Sequence, residues 1–494
     1  MTGEGSAQET LATSGLLILG GNVFALALAF GTRIAGARLL GPDRYGVFVF
    51  ALSVVNILIL FAEFGLREGI TRTLPRIDDV AEAFSSGFLF AQLAAVVVTA
   101  AALSLTGWFV PKLLSPDATE TVALVLTTVP LYVAYWLTIS GTRGINEPRA
   151  EVMLKAVMRI STLTGLVVGA AVMRSVYWAA MGWVAGMTVT AVASAYVAVS
   201  TGLLSVRAVA SRGAAGRLKS LVAFSLPLLL VTSLWRLMEE LDTAFIGAFQ
   251  GSEEVGLYDP NFIVARLLLV VIWSFEAPFL SIFSSLHDDG DREGMRDTFL
   301  LSTKWITYLT LPVFLTLMVF NGEIIVGVFG EKYAASAHVL PIISLGFFSH
   351  VVLGMNREAL IGTGDTRAVL VGTALAGGGN VVLNLLLVPT MGMVGAAIAT
   401  ATAYGSFNVL ASVVLYREYG VRPVSRRTLL TVVVAAAAFT AGASAFRSAV
   451  QPSLPLVVAF VALATPLHLG VTAVLDPPSE RERRFIAERV ERFR

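Results

Sequence analysis

The sequence contains no cysteine, which excludes disulfides, thiolate metal sites and thiol catalysis. Charge is scarce too: Asp, Glu, Lys and Arg make up 14% of 494 residues, where soluble domains carry about 25%. What charge there is nearly cancels, at a formal net of +1, so no large basic face exists for a nucleic-acid backbone. No Gly-x4-Gly-Lys-Ser/Thr loop occurs, which removes ATP hydrolysis by that route. HDDGDREGMRD, from His287, sets acidic groups beside a histidine but reads as a solvated loop, and neither a metal nor a cofactor is expected. The opening MTGEGSAQET lacks the basic flank of a secretory signal, so the apolar segment after it reads as a retained first span.

What the chain has in abundance is apolar surface, with 56% hydrophobic residues. They come in runs near 20 residues, the length that crosses a hydrocarbon core of roughly 30 Å. Breaks at proline, glycine and charge clusters divide the runs into about fourteen candidate helices. These cover 12–33, 46–66, 83–106, 121–141, 151–173, 177–199, 219–246, 256–282, 299–320, 336–360, 367–388, 392–416, 429–446 and 454–474. The expectation is an all-α integral membrane protein. Lys and Arg concentrate on alternate loops, around Arg67 to Arg76, Arg207 to Lys219, Arg417 to Arg427 and Arg481 to Arg494, which points to a cytoplasmic location for both termini in a cell membrane.

Two stretches share their punctuation. LLGPDRYGVF, from Leu39, and FQGSEEVGLY, from Phe249, align Gly41 with Gly251 and Gly46 with Gly256, about 210 residues apart. MGWVAGMTV, from Met181, and MGMVGAAIA, from Met391, repeat at the same spacing, and GINEPRA, from Gly144, resembles GTGDTRA, from Gly362. The unit is about six helices long, and an even count returns the chain to its starting side, the parallel-repeat plan of many transporters. The expected division is an N-terminal lobe over 1–204, a linker over 205–218, a C-terminal lobe over 219–416, a terminal helix pair over 429–474 and a basic amphipathic tail over 475–494.

RIAGARLLGPDRYGVFVFAL, from Arg33, LDTAFIGAFQGSEEVGLY, from Leu241, and MGMVGAAIATATAY, from Met391, resemble signatures of the polysaccharide-export, Wzx-like flippases. That branch belongs to the superfamily (MOP) that also holds the multidrug and toxic-compound extruders (MATE) and the lipid II flippase. The resemblance implies two pseudo-symmetric six-helix lobes around a central cavity, with two further C-terminal helices. It implies a flippase rather than an enzyme, carrying a polyprenyl-(pyro)phosphate-linked oligosaccharide from the cytoplasmic to the outer leaflet. A monomer would suffice for this, with membrane lipids around it and glycan-assembly enzymes as partners.

Charge inside a span needs a partner, a wet cavity or a function. In LWRLMEELDTAF, Arg236 stands three and four residues before Glu239 and Glu240, with Asp242 following. The group reads either as a polar strip on a cavity wall or as an ion-pair cluster joining helices. Asp242 also matches the family's Asp before Ile-Gly. Arg33 and Arg266 lie on the two helices that the resemblance places beside the opening between lobes, and a guanidinium fork suits a phosphate; for Arg33, snorkelling to the interface competes. Arg33, Arg236, Glu239, Glu240, Asp242 and Arg266 are therefore the expected headgroup contacts. Glu276, beside Pro278, together with Asp242 and His350, is a candidate for ion or proton coupling, against satisfaction of backbone donors for Glu276 and an interhelical hydrogen bond for His350. Glu63 and Arg67 read as an i to i+4 pair closing the second helix. GGGN, from Gly377, and Gly182 with Gly186 read as close-packing faces.

A cation-coupled drug exporter and a lipid II-type flippase remain the alternatives. A membrane glycosyltransferase or polymerase is disfavoured, because loops of about 20 residues leave no room for a catalytic domain.

Overall fold

The computed structural model describes the backbone of residues 3–77, 79–205 and 214–477, and among the described residues every regular element is helical. In chain order these are α1 (Gly3–Leu40), α2 (Pro42–Glu63), α3 (Leu66–Thr73), α4 (Val80–Leu113), α5 (Ala118–Leu126), α6 (Val129–Gly144), α7 (Pro148–Met173), α8 (Val176–Ser200) and α9 (Ala214–Gln250). They continue as α10 (Ser252–Arg266), α11 (Leu269–Asp288), α12 (Arg292–Val319), α13 (Asn321–Phe329), α14 (Val339–Val352), α15 (Asn356–Gly362), α16 (Thr366–Tyr419), α17 (Arg426–Ala449) and α18 (Leu454–Leu475). Residues 478–494 of the expected basic tail, and most of the expected linker, lie outside the described residues.

Among the described residues, 12 helical segments are long and apolar enough to cross a membrane. One of them, the 54-residue α16, is broken at Gly392, whose φ of 55° and ψ of −135° leave the helical region. The two halves fold back on each other: Asn380 Nδ2 reaches Thr400 Oγ1 at 3.4 Å, and a Cβ on Gly372 would touch the Phe407 ring. Only glycine adopts such a turn at low cost. With α16 doubled and the 37-residue α9 beside the others, the count is consistent with the fourteen expected.

Contacts divide the chain into two compact units, Met1–Pro260 with Asn384–Ala396, and Asn261–Leu383 with Ala397–Arg494. In the first unit the repeated punctuation has a local cause. Gly41 (φ 77°) and Gly251 (φ 89°) both take a left-handed conformation immediately before a helix, α2 and α10 respectively. The second glycine of each stretch then meets the other copy. A Cβ on Gly46 would strike the Ser252 carbonyl, and one on Gly256 the Pro42 carbonyl, so the two helices cross backbone to backbone. Ser252 Oγ donates to the Asp43 carboxylate across the same crossing.

Also in this unit, α7 and α8 share a small-residue seam, where a Cβ on Gly165 or Gly182 would hit the other's carbonyl and one on Gly186 the Ser161 carbonyl. The packing read for Gly182 and Gly186 is present. In the glycine run ahead of Asn380, Gly377 is buried, while Gly378 and Gly379 are exposed and a Cβ on either would find nothing within 4 Å. The second helix also ends earlier than the sequence suggests. Phe64 (φ 47°) and Gly65 (φ 72°) are both left-handed and separate α2 from α3, so Glu63 and Arg67 share no helical face.

The second unit is fastened at its C-terminal end. Asp476, just after α18, accepts from Tyr308 Oη at 2.8 Å and Thr428 Oγ1 at 3.3 Å, with Lys304 Nζ at 3.4 Å. Three helices, α12, α17 and α18, are joined at that carboxylate.

Candidate functional site

The first unit carries a ladder of polar and ionised groups along α2, facing α1, α9 and α10. At its first station the Asp259 carboxylate accepts from Arg33 Nη1 at 2.8 Å and from Tyr45 Oη at 2.5 Å. Tyr45 and Asp259 are buried, while the Arg33 side chain keeps 30% of its surface exposed. Arg33 therefore turns inward to an ion pair and does not snorkel. The Gly46 and Gly256 crossing makes this station possible, since it brings Tyr45 and Asp259 face to face.

About two-thirds of the way along α2 from Tyr45 to Glu63 comes the second station. Asn56 Nδ2 donates to Glu240 Oε1 at 2.9 Å, and Ser53 Oγ to the Glu240 carbonyl at 2.8 Å. Glu240 lies within electrostatic reach of Arg33 above and of Glu239 beside it.

Glu63, 4% exposed, forms the third station with Arg67 and Arg236 as electrostatic neighbours. Arg67 lies over the Trp136 ring at 3.7 Å, a cation–π contact that helps hold a guanidinium away from water. Arg236 is exposed, and Glu239 and Glu240 are half-buried. From Tyr45 to Glu63 the ladder runs over about 27 Å of helix at 1.5 Å per residue. That is nearly the full thickness of a bilayer's hydrocarbon core.

Asp242 takes a different position. It is fully buried, and its two oxygens accept from Tyr258 Oη at 3.0 Å and Asn384 Nδ2 at 2.8 Å, joining α9, α10 and the hairpin of α16. Nearby, Gln250 Nε2 donates to the Val388 carbonyl at 2.8 Å, just ahead of the Gly392 turn.

The remaining expected residues lie in the second unit. Arg266 ends α10, half-buried, with its guanidinium 5.6 Å from the Trp273 ring. Glu276, on α11, has Glu358 and Arg357 of α15 as its ionised neighbours. Arg357 Nη1 donates to Glu358 Oε1 at 3.1 Å. His350 Nδ1 lies 2.8 Å from Asn408 Nδ2, and because an amide nitrogen can only donate, that ring nitrogen accepts. Among the described residues no group of three or more His, Asp and Glu side chains is arranged to hold a metal.

Sequence reasoning passed over Tyr45, Asn56, Asp259 and Asn384. Two signals could have found them: Asp259 is an acidic residue inside an apolar run, beside Pro260, and Asn384 interrupts VVLNLLLV. Tyr45 and Asn56 carry no such mark, since both residue types occur on packed membrane helices.

Comparison with known proteins places this geometry. Residues 36–338 match the family described as polysaccharide biosynthesis protein. A probable low-salt glycan biosynthesis flippase, Agl15, of Haloferax volcanii is 23% identical over 407 residues, which is 81% of this chain and 82% of that protein. Among solved structures, the lipid II flippase MurJ in an inward closed conformation superposes with a TM-score of 0.74 at 10% identity, over 93% of this chain and 98% of that one. An inward-facing multidrug resistance MATE family transporter of the MOP superfamily gives 0.68 at 16% identity, over 80% and 94%. The fold is thus the one these transporters share.

Proposed function

The chain belongs to the polysaccharide biosynthesis protein family, and from that premise we infer that it is a flippase for a polyprenyl-(pyro)phosphate-linked oligosaccharide, carrying it from the cytoplasmic to the outer leaflet. The observation that carries the reading is the ladder along α2, because a bilayer-deep row of ionised groups has no use to a helix that only packs. A sugar headgroup with its phosphate loses water's hydrogen bonds on entering hydrocarbon, and each buried polar group left unpaired costs about 1–3 kcal/mol. Arg33, Glu240, Asn56 and Arg236 would replace those bonds step by step while the prenyl chain stays in lipid.

In this reading Arg33 and Arg266 contact the phosphate, and Arg236, Glu239 and Glu240 the sugar. Asp242 positions the α16 hairpin, and Glu276 and His350 remain the candidates for coupling to an ion. Two six-helix lobes rock to expose the cleft to alternate leaflets, with both termini cytoplasmic. The chain works as a monomer and does no chemistry on its cargo, which glycan-assembly enzymes supply and consume.

The test is reconstitution of the purified protein in liposomes with a short-chain polyprenyl-diphosphate-linked sugar, scoring its accessibility on each leaflet. The expected result is equilibration by the wild type and its loss on charge reversal at Arg266. Equal accessibility rates with and without protein, together with lowered drug accumulation in cells expressing it, would replace this reading by a drug exporter.

A further inference from the structure

We propose that Arg159 is an anion-binding residue of the first unit, taking an oxyanion of the cargo's headgroup. The inference deepens the flippase reading and rests on it. Arg159 lies near the middle of α7, a candidate membrane span, and its carbonyl accepts from Thr162 Oγ1 at 3.4 Å, yet among the described residues its guanidinium makes no ion pair or hydrogen bond. The other cations on this side are provided for. Arg143 donates to Glu151 from Nε at 2.9 Å and Nη2 at 2.7 Å, Lys155 pairs with the same carboxylate at 2.6 Å, and Arg33 has Asp259.

Helical geometry shows which way Arg159 faces. Val152 meets Gly21 of α1, Lys155 Nζ reaches Asn22 Oδ1 at 2.7 Å, and Leu166 approaches Gly36 at 3.8 Å. At 100° per residue Arg159 falls within roughly 40° of all three, on the stripe that covers α1. The strongly exposed stripe of α7, Met153, Ile160, Val168 and Val172, lies on the other side. Arg159 is also an electrostatic neighbour of both Tyr132 and Tyr135 on α6, and Tyr132 feels Arg33 as well. The contacts along α1 are in parallel register, which sets Arg33 about one turn beyond Arg159. A half-buried guanidinium facing inward at mid-span, next to a cation that already has its carboxylate, is completed by an anion brought from outside. The headgroup offers two sources, the (pyro)phosphate and the carboxylate of an acidic sugar.

The experiment compares wild type with Arg159→Gln and Arg159→Lys in proteoliposomes, using short-chain polyprenyl diphosphate linked to a neutral trisaccharide or to one containing glucuronic acid. Intrinsic tryptophan fluorescence of the solubilised protein, titrated with inorganic pyrophosphate and with glucuronate, is read in parallel. Arg159→Gln is expected to raise half-saturation about tenfold at unchanged Tm, with Lys, which keeps the charge but not the planar fork, recovering part of it. A loss shared by both cargoes assigns the phosphate, and a loss confined to the glucuronate cargo assigns the sugar. Wild-type half-saturation in Arg159→Gln for both cargoes and both titrants overturns the proposal, as does a loss that follows a lowered Tm and is not recovered by Lys. Arg159-dependent anion binding by a protein that flips neither lipid would instead overturn the flippase reading and leave this site standing.

Discussion

Each unit contains a carboxylate tied to a tyrosine and a cation, and the two knots differ in what they leave over. In the second unit, Asp476 is shared among Tyr308, Thr428 and Lys304, with Arg427 Nε at 3.5 Å, and the Lys304 side chain is only 10% exposed. Four donor side chains surround that one carboxylate, although Arg427 Nε also donates to the Leu475 carbonyl at 3.1 Å and Thr428 Oγ1 lies 2.8 Å from Ser425 Oγ. In the first unit, Asp259 takes one bond from Arg33 and one from Tyr45. A guanidinium has five N–H donors, more than two neighbours take up, and Arg33 remains 30% exposed. The same three chemical groups make a fastening where the acceptor is saturated and a receptor where the donor is not. Burial alone would not have separated them, because both carboxylates are buried.

The comparison breaks most visibly at the saturated knot. Asp476→Ala leaves the Lys304 ammonium and the Tyr308 hydroxyl without their shared acceptor, and removing one partner of a buried pair costs about 3–5 kcal/mol. The expected outcome is a Tm lower by several degrees in detergent, with the flipping rate per folded molecule unchanged. A loss of transport at unchanged Tm would move Asp476 from fastening to function.

Much of this contrast was out of reach of the sequence, and the reasons are physical. The helical class and the duplicated Gly41/Gly46 and Gly251/Gly256 pattern follow from run length and local backbone demands, which one segment displays by itself. Arg236, Glu240 and Asp242 were conspicuous because charge in an apolar helix is. Their partners were less so. Asn56 and Tyr45 become site residues only through α9 and α10, about 200 positions away, and a spacing rule cannot join them. Such a rule also gave the wrong geometry: Glu63 and Arg67 stand four apart and remain electrostatic neighbours, but the left-handed pair Phe64 and Gly65 breaks the helix between them, and Arg67 stacks on Trp136. The 37-residue α9 placed Arg236 three and four residues from Glu239 and Glu240, while Glu240 turns to Asn56. Local spacing proposes pairs, and the packing of neighbouring helices chooses among them.

A smaller effect is expected at the crossing that holds the unsaturated knot together. A methyl on Gly46 would meet the Ser252 carbonyl, a backbone atom that cannot rotate aside. Gly46→Ala should therefore push α2 from α10, at a cost of about 1–3 kcal/mol, and separate Tyr45 from Asp259. Transport and Tm fall together in this variant, while Gly378→Ala, which meets nothing, leaves transport intact and its helix slightly more stable. Equal behaviour of the two variants would mean that the repeated glycines are not what sets the crossing.

The finest test exchanges the cation and keeps the charge. Lys at position 33 can still pair with Asp259, so the buried carboxylate stays compensated and Tm should move by no more than a degree or two. What it lacks is the planar fork that binds a phosphate through two parallel bonds. Losing one charged hydrogen bond of about 1.5 kcal/mol corresponds to roughly a tenfold fall in transport, read as half-saturation in proteoliposomes. The mirror exchange, Lys304→Arg, adds donors beside an acceptor that is already fully used, in a position closed to any guest, and should leave transport unchanged. If Arg33→Lys flips its cargo like the wild type, Arg33 is a second fastening, and the difference between the two knots is one of exposure without function.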